Sequence, residues 1–397
     1  MLKYTLALYY MVKQTRKTTA KTKDQQAPSQ PGAFIRKNLV MCIALIAALL
    51  SIIFVPPSKD YFSYFDYRTL TCLFCVLAVV CALKNANFFY LVSRKIIHYF
   101  KTTRYSILAL VYITFIGSML IANDMALLTF LPLGYYVLSA THHRKYIPFT
   151  FIMQTIAANL GGMLTPFGNP QNLYLFSKFN IPTDEFIHIM LPPFLLAITL
   201  ITACCCIFIP SQKIDLPDKP LKIQTVKITL LLLLFAYSVL IVFRGVPFWT
   251  GLIVVPLGIL LLDRKAFTQI DYPLLLTFVF FFIFAGNISR IPAINHFISA
   301  LLSKDVLLVS VLSCQFISNV PSAILLSQFT ANYPALLIGV NIGGTGTLIS
   351  SLASLITYRE YALHYPKKRG RYLALFSLIN FSFLAAMTAF AKFVLGY

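Results

Sequence analysis

Gly161-Gly162-Met163-Leu164-Thr165-Pro166-Phe167-Gly168-Asn169-Pro170-Gln171-Asn172 lies inside an apolar segment, about 147 to 177, that is long enough to cross a membrane. Adjacent glycines, two prolines and three carboxamides cannot sit in a continuous helix facing lipid. A helix broken at membrane depth is tolerated only where protein or a water-filled cavity satisfies the freed backbone groups, so the break implies a site. A second stretch repeats the pattern: Asn341-Ile342-Gly343-Gly344-Thr345-Gly346-Thr347 against Asn159-Leu160-Gly161-Gly162. Each is preceded by an Asn in a small or polar setting, Ala122-Asn123-Asp124 in the first case and Ser318-Asn319-Val320-Pro321 in the second. A third pair, Asp66-Tyr67 and Asp271-Tyr272, opens two predicted spans. The three pairs keep one order, with separations of 205, 196 and 182 residues. Paired broken segments in two halves of an apolar chain point to a binding site at a repeat interface.

Composition sets the class. The chain of 397 residues is 58% apolar and 11% charged, with mean hydropathy +0.78. Soluble domains run near 25% charged, so this is a polytopic membrane protein of the all-α class, and no extramembrane catalytic domain is expected. The net charge of +21 raises nucleic acid as a partner. The position of the charge argues against it: 26 of the 33 Lys and Arg fall in alternate loops, which places those loops in the cytoplasm by the positive-inside rule. Basicity therefore reports topology and contact with the lipid bilayer.

The predicted spans cover about 39 to 55, 67 to 83, 147 to 177, 186 to 210, 226 to 243, 247 to 262, 272 to 287, 334 to 357 and 372 to 395. Two further apolar runs, 106 to 139 around Asn123-Asp124 and 305 to 329 around Asn319, are expected as re-entrant helical hairpins; basic loops at both ends of the first favour a hairpin over one overlong span. The expectation is about nine full spans plus two hairpins, in two repeats of inverted topology. Residues 1–37 read as a disordered basic cytoplasmic tail, 38–210 as the first repeat, 211–225 as a cytoplasmic linker, and 226–397 as the second repeat with an extra leading span. Residues 86 to 103 read as a helix in the cytoplasmic interface. The N-terminus is placed in the cytoplasm and the C-terminus outside.

Of the twelve acidic residues, Asp124 is the one expected deep in an apolar run. A carboxylate there costs about 2.5 to 3.5 kcal/mol on insertion scales and marks an ion or proton pathway, unless it serves as a helix cap. Asn123 and Asn319 at the two tips have carbonyl oxygens that can ligate a cation and NH2 groups that can bind an anion; each alone would read as a cap, and their paired recurrence favours a site. Gly161, Gly162, Gly343 and Gly344 permit close backbone approach, whether to a ligand or for helix packing. Asn159, Thr165, Asn169, Asn172, Ser318, Asn341, Thr345 and Thr347 complete the candidate binding residues, with Gln171 and Ser350 beside them. No Lys or Arg is expected at mid-depth, so an anion would be held by half-helix N-termini. The Cys72-x-x-Cys75 pair has no polar companions and reads as packing. Protease, lipase and Walker motifs are absent from the sequence, and no enzyme is expected.

On these residues the chain resembles the ion transporter superfamily of divalent anion/sodium symporters, citrate transporters, arsenite permeases and certain sodium/proton antiporters, and within it the compact bacterial anion permeases. The likeness spans about 38 to 395 and rests on the Asn-containing tips, the two Gly-Gly stretches, and Gly168-Asn169-Pro170-Gln171-Asn172, which looks like the family's Gly-x-Pro-x-Asn segment. It departs at the symporters' Ser-Asn-Thr signature, here Ala122-Asn123-Asp124 and Ser318-Asn319-Val320, and at Leu348-Ile349-Ser350-Ser351-Leu352, which lacks a proline. The resemblance implies inverted repeats, a homodimer, an elevator-type mechanism, and transport of a small anion across the inner membrane coupled to sodium or protons. Asn123, Asp124 and Asn319 are then the positions for sodium, with no cofactor. A sodium/proton antiporter or arsenite-type efflux permease is the rival within the same superfamily.

Overall fold

A computed structural model describes residues 38–89, 91–92, 100–213 and 225–397. The predicted tail, residues 90 and 93–99 of the predicted interfacial helix, and most of the linker lie outside the described residues. The described chain is helical with one isolated β-bridge, Thr102 to Lys213. In the first half the helices are α1 (Leu39–Phe54), α2 (Tyr61–Tyr64), α3 (Tyr67–Asn85), α4 (Thr103–Ile121), α5 (Asn123–Ala140), α6 (Ile147–Gly161), α7 (Pro170–Lys178) and α8 (Thr183–Phe208). After them come α9 (Thr225–Val242), α10 (Gly251–Leu262), α11 (Tyr272–Ser289), α12 (Pro292–Lys304), α13 (Val306–Ile317), α14 (Asn319–Leu326), α15 (Tyr333–Ile342), α16 (Leu352–His364) and α17 (Arg369–Phe393).

Among the described residues seven helical segments, α3, α4, α8, α9 and α11 among them, are long and apolar enough to cross a membrane, and α1, α10, α13 and α15 are shorter apolar helices. Their outward faces carry large apolar side chains such as Ile53, Leu261, Phe316 and Phe393, each more than 70% exposed. Water would not tolerate that surface, so lipid is the solvent. By contrast α3 and α6 are buried over most of their length and form the centre.

The same element order occurs twice. Asp66 accepts from Thr69 N at 2.9 Å to start α3, and Asp271 accepts from Leu274 N at 3.1 Å to start α11. The pair α4 and α5 is joined through Ala122 at φ 59, and the pair α13 and α14 through Ser318 at φ 74. Then α6 breaks and resumes as α7, as α15 breaks and resumes as α16; α8 and α17 close the two series. Packing follows the same correspondence. α1 lies on α11 as α10 lies on α3, α4 on α6 as α13 on α15, and α5 on α16 as α14 on α7. Helix α9 stands outside it.

Two features differ from the sequence expectation. Helix α12 fills the stretch before the second pair, where no element was expected; it is short, with polar Asn295, His296, Ser299 and Ser303, and gives no span-like signal. Helix α16 runs on to His364, past the predicted boundary at 357, so Arg359 sits on a helix rather than in a basic loop.

Candidate functional site

The breaks are built by their own residues. Helix α6 ends at Gly161, a short turn follows over Gly162–Leu164, Thr165 and Asn169 are extended, and Pro170 restarts the chain as the first residue of α7. A Cβ on Gly161 would collide with the Phe115 carbonyl and Ser118, and one on Gly162 with Asn169 Oδ1. Thr165 donates to the Met119 carbonyl at 2.6 Å, tying the break to the end of α4. In the second half the turn after α15 is held by Gln315, whose Nε2 donates to the Gly343 and Thr345 carbonyls at 3.0 and 3.1 Å and whose Oε1 accepts from Thr347 N at 2.9 Å. Thr347 Oγ1 donates to the Gln315 carbonyl, Thr345 Oγ1 to the Ile342 carbonyl, and Gly343 packs on Cys314.

Between the breaks runs a buried network of carboxamides that joins the two halves. Asn123 Nδ2 donates to Asn159 Oδ1 at 3.1 Å, and Asn159 Nδ2 donates to the Gly344 carbonyl at 3.2 Å. Asn169 Nδ2 donates to the Asn159 carbonyl and to Asn341 Oδ1, both at 3.1 Å. Asn341 Nδ2 donates to Asn172 Oδ1 and to the Leu337 carbonyl, while Asn172 Nδ2 reaches the Gly162 and Met163 carbonyls at 3.3 and 3.2 Å. These four Asn residues behind the tips are at most 2% exposed.

The tips themselves are alike. Asn123 Oδ1 accepts from Asp124 N and Asn319 Oδ1 accepts from Val320 N, each at 2.9 Å. Ser318 Oγ lies 3.3 Å from both Asn319 Oδ1 and the Ser350 carbonyl, and Asn319 N donates to that carbonyl at 3.0 Å. Gly344 lies against Asn319 Nδ2 and Asn159, where a Cβ would come within 3.1 Å of the former.

Asn123, Asp124, Ser318 and Asn319 line one cavity of about 110 Å³, together with Pro170, Gln171, Ser351, Leu352, Asp271 and Arg359 among others. Apart from Arg359, two turns into α16, those residues are the first turns of α5, α7, α14 and α16 and the cap of α11. Helix N-termini carry outward N–H groups and positive dipole ends, so the cavity wall favours negative charge. Asp124 Oδ1 is shielded from solvent and has no hydrogen-bond partner among the described residues.

The structure thus gathers the tip residues at the cavity, sets Asn159, Asn169, Asn172, Asn341, Gly162 and Gly344 directly behind it, and uses Thr165, Thr345, Thr347, Gly161 and Gly343 to hold the breaks. It also brings to the cavity two charged groups that the sequence alone did not place there. Asp124 is not the sole carboxylate there, because Asp271 lines the same cavity; its pairing with Asp66 in the sequence had marked it as a helix opener only. Arg359 brings a cation to a wall where none was expected. Gln315 carried no signal beyond being polar in an apolar run. Both cysteines of the C-x-x-C pair are buried and free. Among the described residues no group of three or more His, Cys, Asp or Glu is placed to hold a metal.

Comparison with known proteins gives the family. Residues 28–335 match the citrate transporter family model. The chain is 32% identical to an uncharacterized transporter, MJ0456, of Methanocaldococcus jannaschii over 89% of its own length and 96% of that protein. It is 30% identical to the inner membrane protein YbiR of Escherichia coli over 77% of its length and 83% of that protein. A shorter stretch, 38% of the chain and 31% of the relative, is 31% identical to the silicon efflux transporter LSI3 of rice. The family and these named transporters are not enzymes. An all-α polytopic architecture, broken helices around a shared cavity and a family match over most of the chain place this protein, a membrane transporter, in the citrate transporter family.

Proposed function

We propose that the chain is a secondary active permease that moves a small anion, a di- or tricarboxylate or an inorganic oxyanion, across the inner membrane in company with sodium or protons. The observation that carries this reading is the convergence of the N-termini of α5, α7, α14 and α16 on one cavity. Each such terminus is equivalent to about half a positive charge. An ionised Asp124 beside a bound anion would oppose it by about 3 kcal/mol at a separation of about 5 Å and an effective dielectric of about 20. A proton or monovalent cation on the unpaired Asp124 oxygen removes that opposition, which is how binding of the two species becomes coupled. Asn123 Oδ1 and Asn319 Oδ1 each accept one amide and keep a lone pair for the same cation.

In this reading the two series of elements are inverted repeats, the pairs α4 and α5 and α13 and α14 are re-entrant hairpins, residues 38–210 and 226–397 are the two repeats, and the protein works as a homodimer with its N-terminus in the cytoplasm and its C-terminus outside. The likeness to a silicon efflux transporter supports a second reading, an efflux permease for an uncharged or weakly acidic oxyacid.

Uptake and efflux in proteoliposomes, with carboxylates, sulfate, phosphate, arsenite and sodium offered under imposed ion gradients, separates these. The anion reading expects uphill uptake of a carboxylate or oxyanion that Asp124→Asn uncouples from the gradient. Uphill accumulation by Asp124→Asn with wild-type ion dependence would remove Asp124 from coupling. Failure of every compound to move or bind would end the transport reading of this site.

A further inference from the structure

The carboxamide of Gln171 has a fixed orientation, and the fixing groups are backbone atoms whose roles are unambiguous. Asn341 donates from Nδ2 to the Leu337 carbonyl at 2.8 Å, which can only accept. Asn341 Oδ1 is therefore an acceptor, and Asn169 confirms it, since its own Nδ2 is also committed to a carbonyl, that of Asn159. The nitrogen of Gln171 must face Asn341 Oδ1, at 3.4 Å. Its oxygen is left over: Gln171 is 1% exposed, and Oε1 is buried with no hydrogen-bond partner among the described residues. The other lining carboxamides at the tips, Asn123 and Asn319, both use their oxygens to accept a backbone amide. Gln171 thus brings an unused neutral acceptor to a cavity that the donor ends of helices line together with the carboxylates Asp124 and Asp271.

An unused buried acceptor is matched by a ligand donor, either a hydroxyl or a metal cation. Gln171 is the second residue of α7, at the positive end of that helix, and lacks the neighbouring carboxylate that Asn123 has in Asp124, so a neutral O–H suits it better than a cation. We propose that Gln171 is a specificity-determining residue that accepts a hydrogen bond from a protonated oxygen of the transported anion. The substrate class follows: an anion with at least one hydroxyl, a hydroxycarboxylate or a hydrogen-oxyanion, whose charged oxygens meet the helix N-termini while its O–H meets Gln171 Oε1. This inference rests on the anion-transport reading above and narrows it.

The test uses matched pairs that differ in that donor: malate against succinate, and hydrogen phosphate against sulfate. Binding to the purified full-length protein is measured by calorimetry or ligand-induced shift in Tm, and uptake by competition in proteoliposomes. The wild type is expected to prefer the hydroxyl-bearing member of at least one pair by tenfold or more, since a site built to hydrogen-bond a hydroxyl rejects the analogue lacking it. Gln171→Leu should collapse that ratio to within about twofold by weakening the hydroxyl-bearing member alone. Binding of either pair without preference by the wild type overturns the inference and leaves the anion reading standing, and the wild-type ratio decides this even if the variant fails to fold. An unchanged ratio in Gln171→Leu, with or without altered sodium dependence, also overturns it. No binding of any of the four compounds overturns both.

Discussion

Asn341 donates to Asn172 Oδ1 at 2.6 Å, so the helix break of one half is fastened to the helix break of the other by one side chain. The same Asn341 accepts from Asn169 and Gln171, which makes it the hub of the buried network. Asn341→Leu keeps the γ-branched shape of Asn at a larger volume and leaves Asn172 Oδ1 and Gln171 Nε2 without their partner. Each orphaned buried group costs about 1–3 kcal/mol, so Tm in detergent should fall well below that of the wild type. A variant with wild-type Tm would show that the network is not a structural joint.

Asn123 and Asn319 hold matching positions but differ at the side-chain amide nitrogen. The Asn123 amide nitrogen is bound to Asn159, whereas Asn319 Nδ2 has no hydrogen-bond partner among the described residues. Asn123→Ala and Asn319→Ala should both abolish transport, and Asn123→Ala should lose about 1 kcal/mol more stability. Denaturation and uptake assays on the pair check this; equal stability losses would contradict the assigned hydrogen bond, and retained uptake would reduce the tips to caps.

The inverted arrangement predicts that Asp184 and Lys367, both exposed, face opposite sides of the membrane. In a cysteine-free background, Asp184→Cys should react with an impermeant maleimide added to whole cells, and Lys367→Cys only after permeabilisation. Labelling of both from one side would rule the arrangement out.

At the start of α13, Asp305 accepts from Leu308 N at 2.9 Å and pairs with Lys392 at 2.5 Å. Burial pushes its carboxyl upward, but the backbone amides and Lys392 outweigh it and hold the group below the usual range. A depressed carboxylate stabilises the fold above its unfolded value of about 3.9, and that stabilisation is lost as pH falls through the folded value. Asp305→Asn, which keeps a capping oxygen, should therefore lower Tm at neutral pH, with the gap to wild type closing below about pH 4. A gap constant from pH 7 to pH 3 would assign the effect to the cap alone.

Much of this was legible because the two series of elements share residue types that do a local job. Asp66 and Asp271 cap helices, Asn123 and Asn319 bind the next amide, and the Gly-Gly stretches end helices, so each left the same mark twice. The misses have a common physical origin. Hydropathy treats a charge as the end of a span, yet α16 carries Arg359 two turns in because that side chain reaches a cavity rather than lipid. Gln315 resembles any polar residue in an apolar run until the carbonyls of Gly343 and Thr345 are known to lie beside it. Asp271 could be read as a cap from its neighbours, but its place at the cavity depends on α11 lying against elements distant in sequence.

Ala122 and Ser318 hold φ/ψ of 59/145 and 74/160, a region that side-chain-bearing residues rarely occupy. Such conformations cost about 1–3 kcal/mol each and persist only where the surroundings over-determine them. Glycine would relax both positions, and neither half uses it. Selection for robustness and selection for a stiff tip therefore pull in opposite directions at these two residues, and a search for thermostable variants should recover Ala122→Gly or Ser318→Gly as mutants that survive heating better while carrying cargo more slowly.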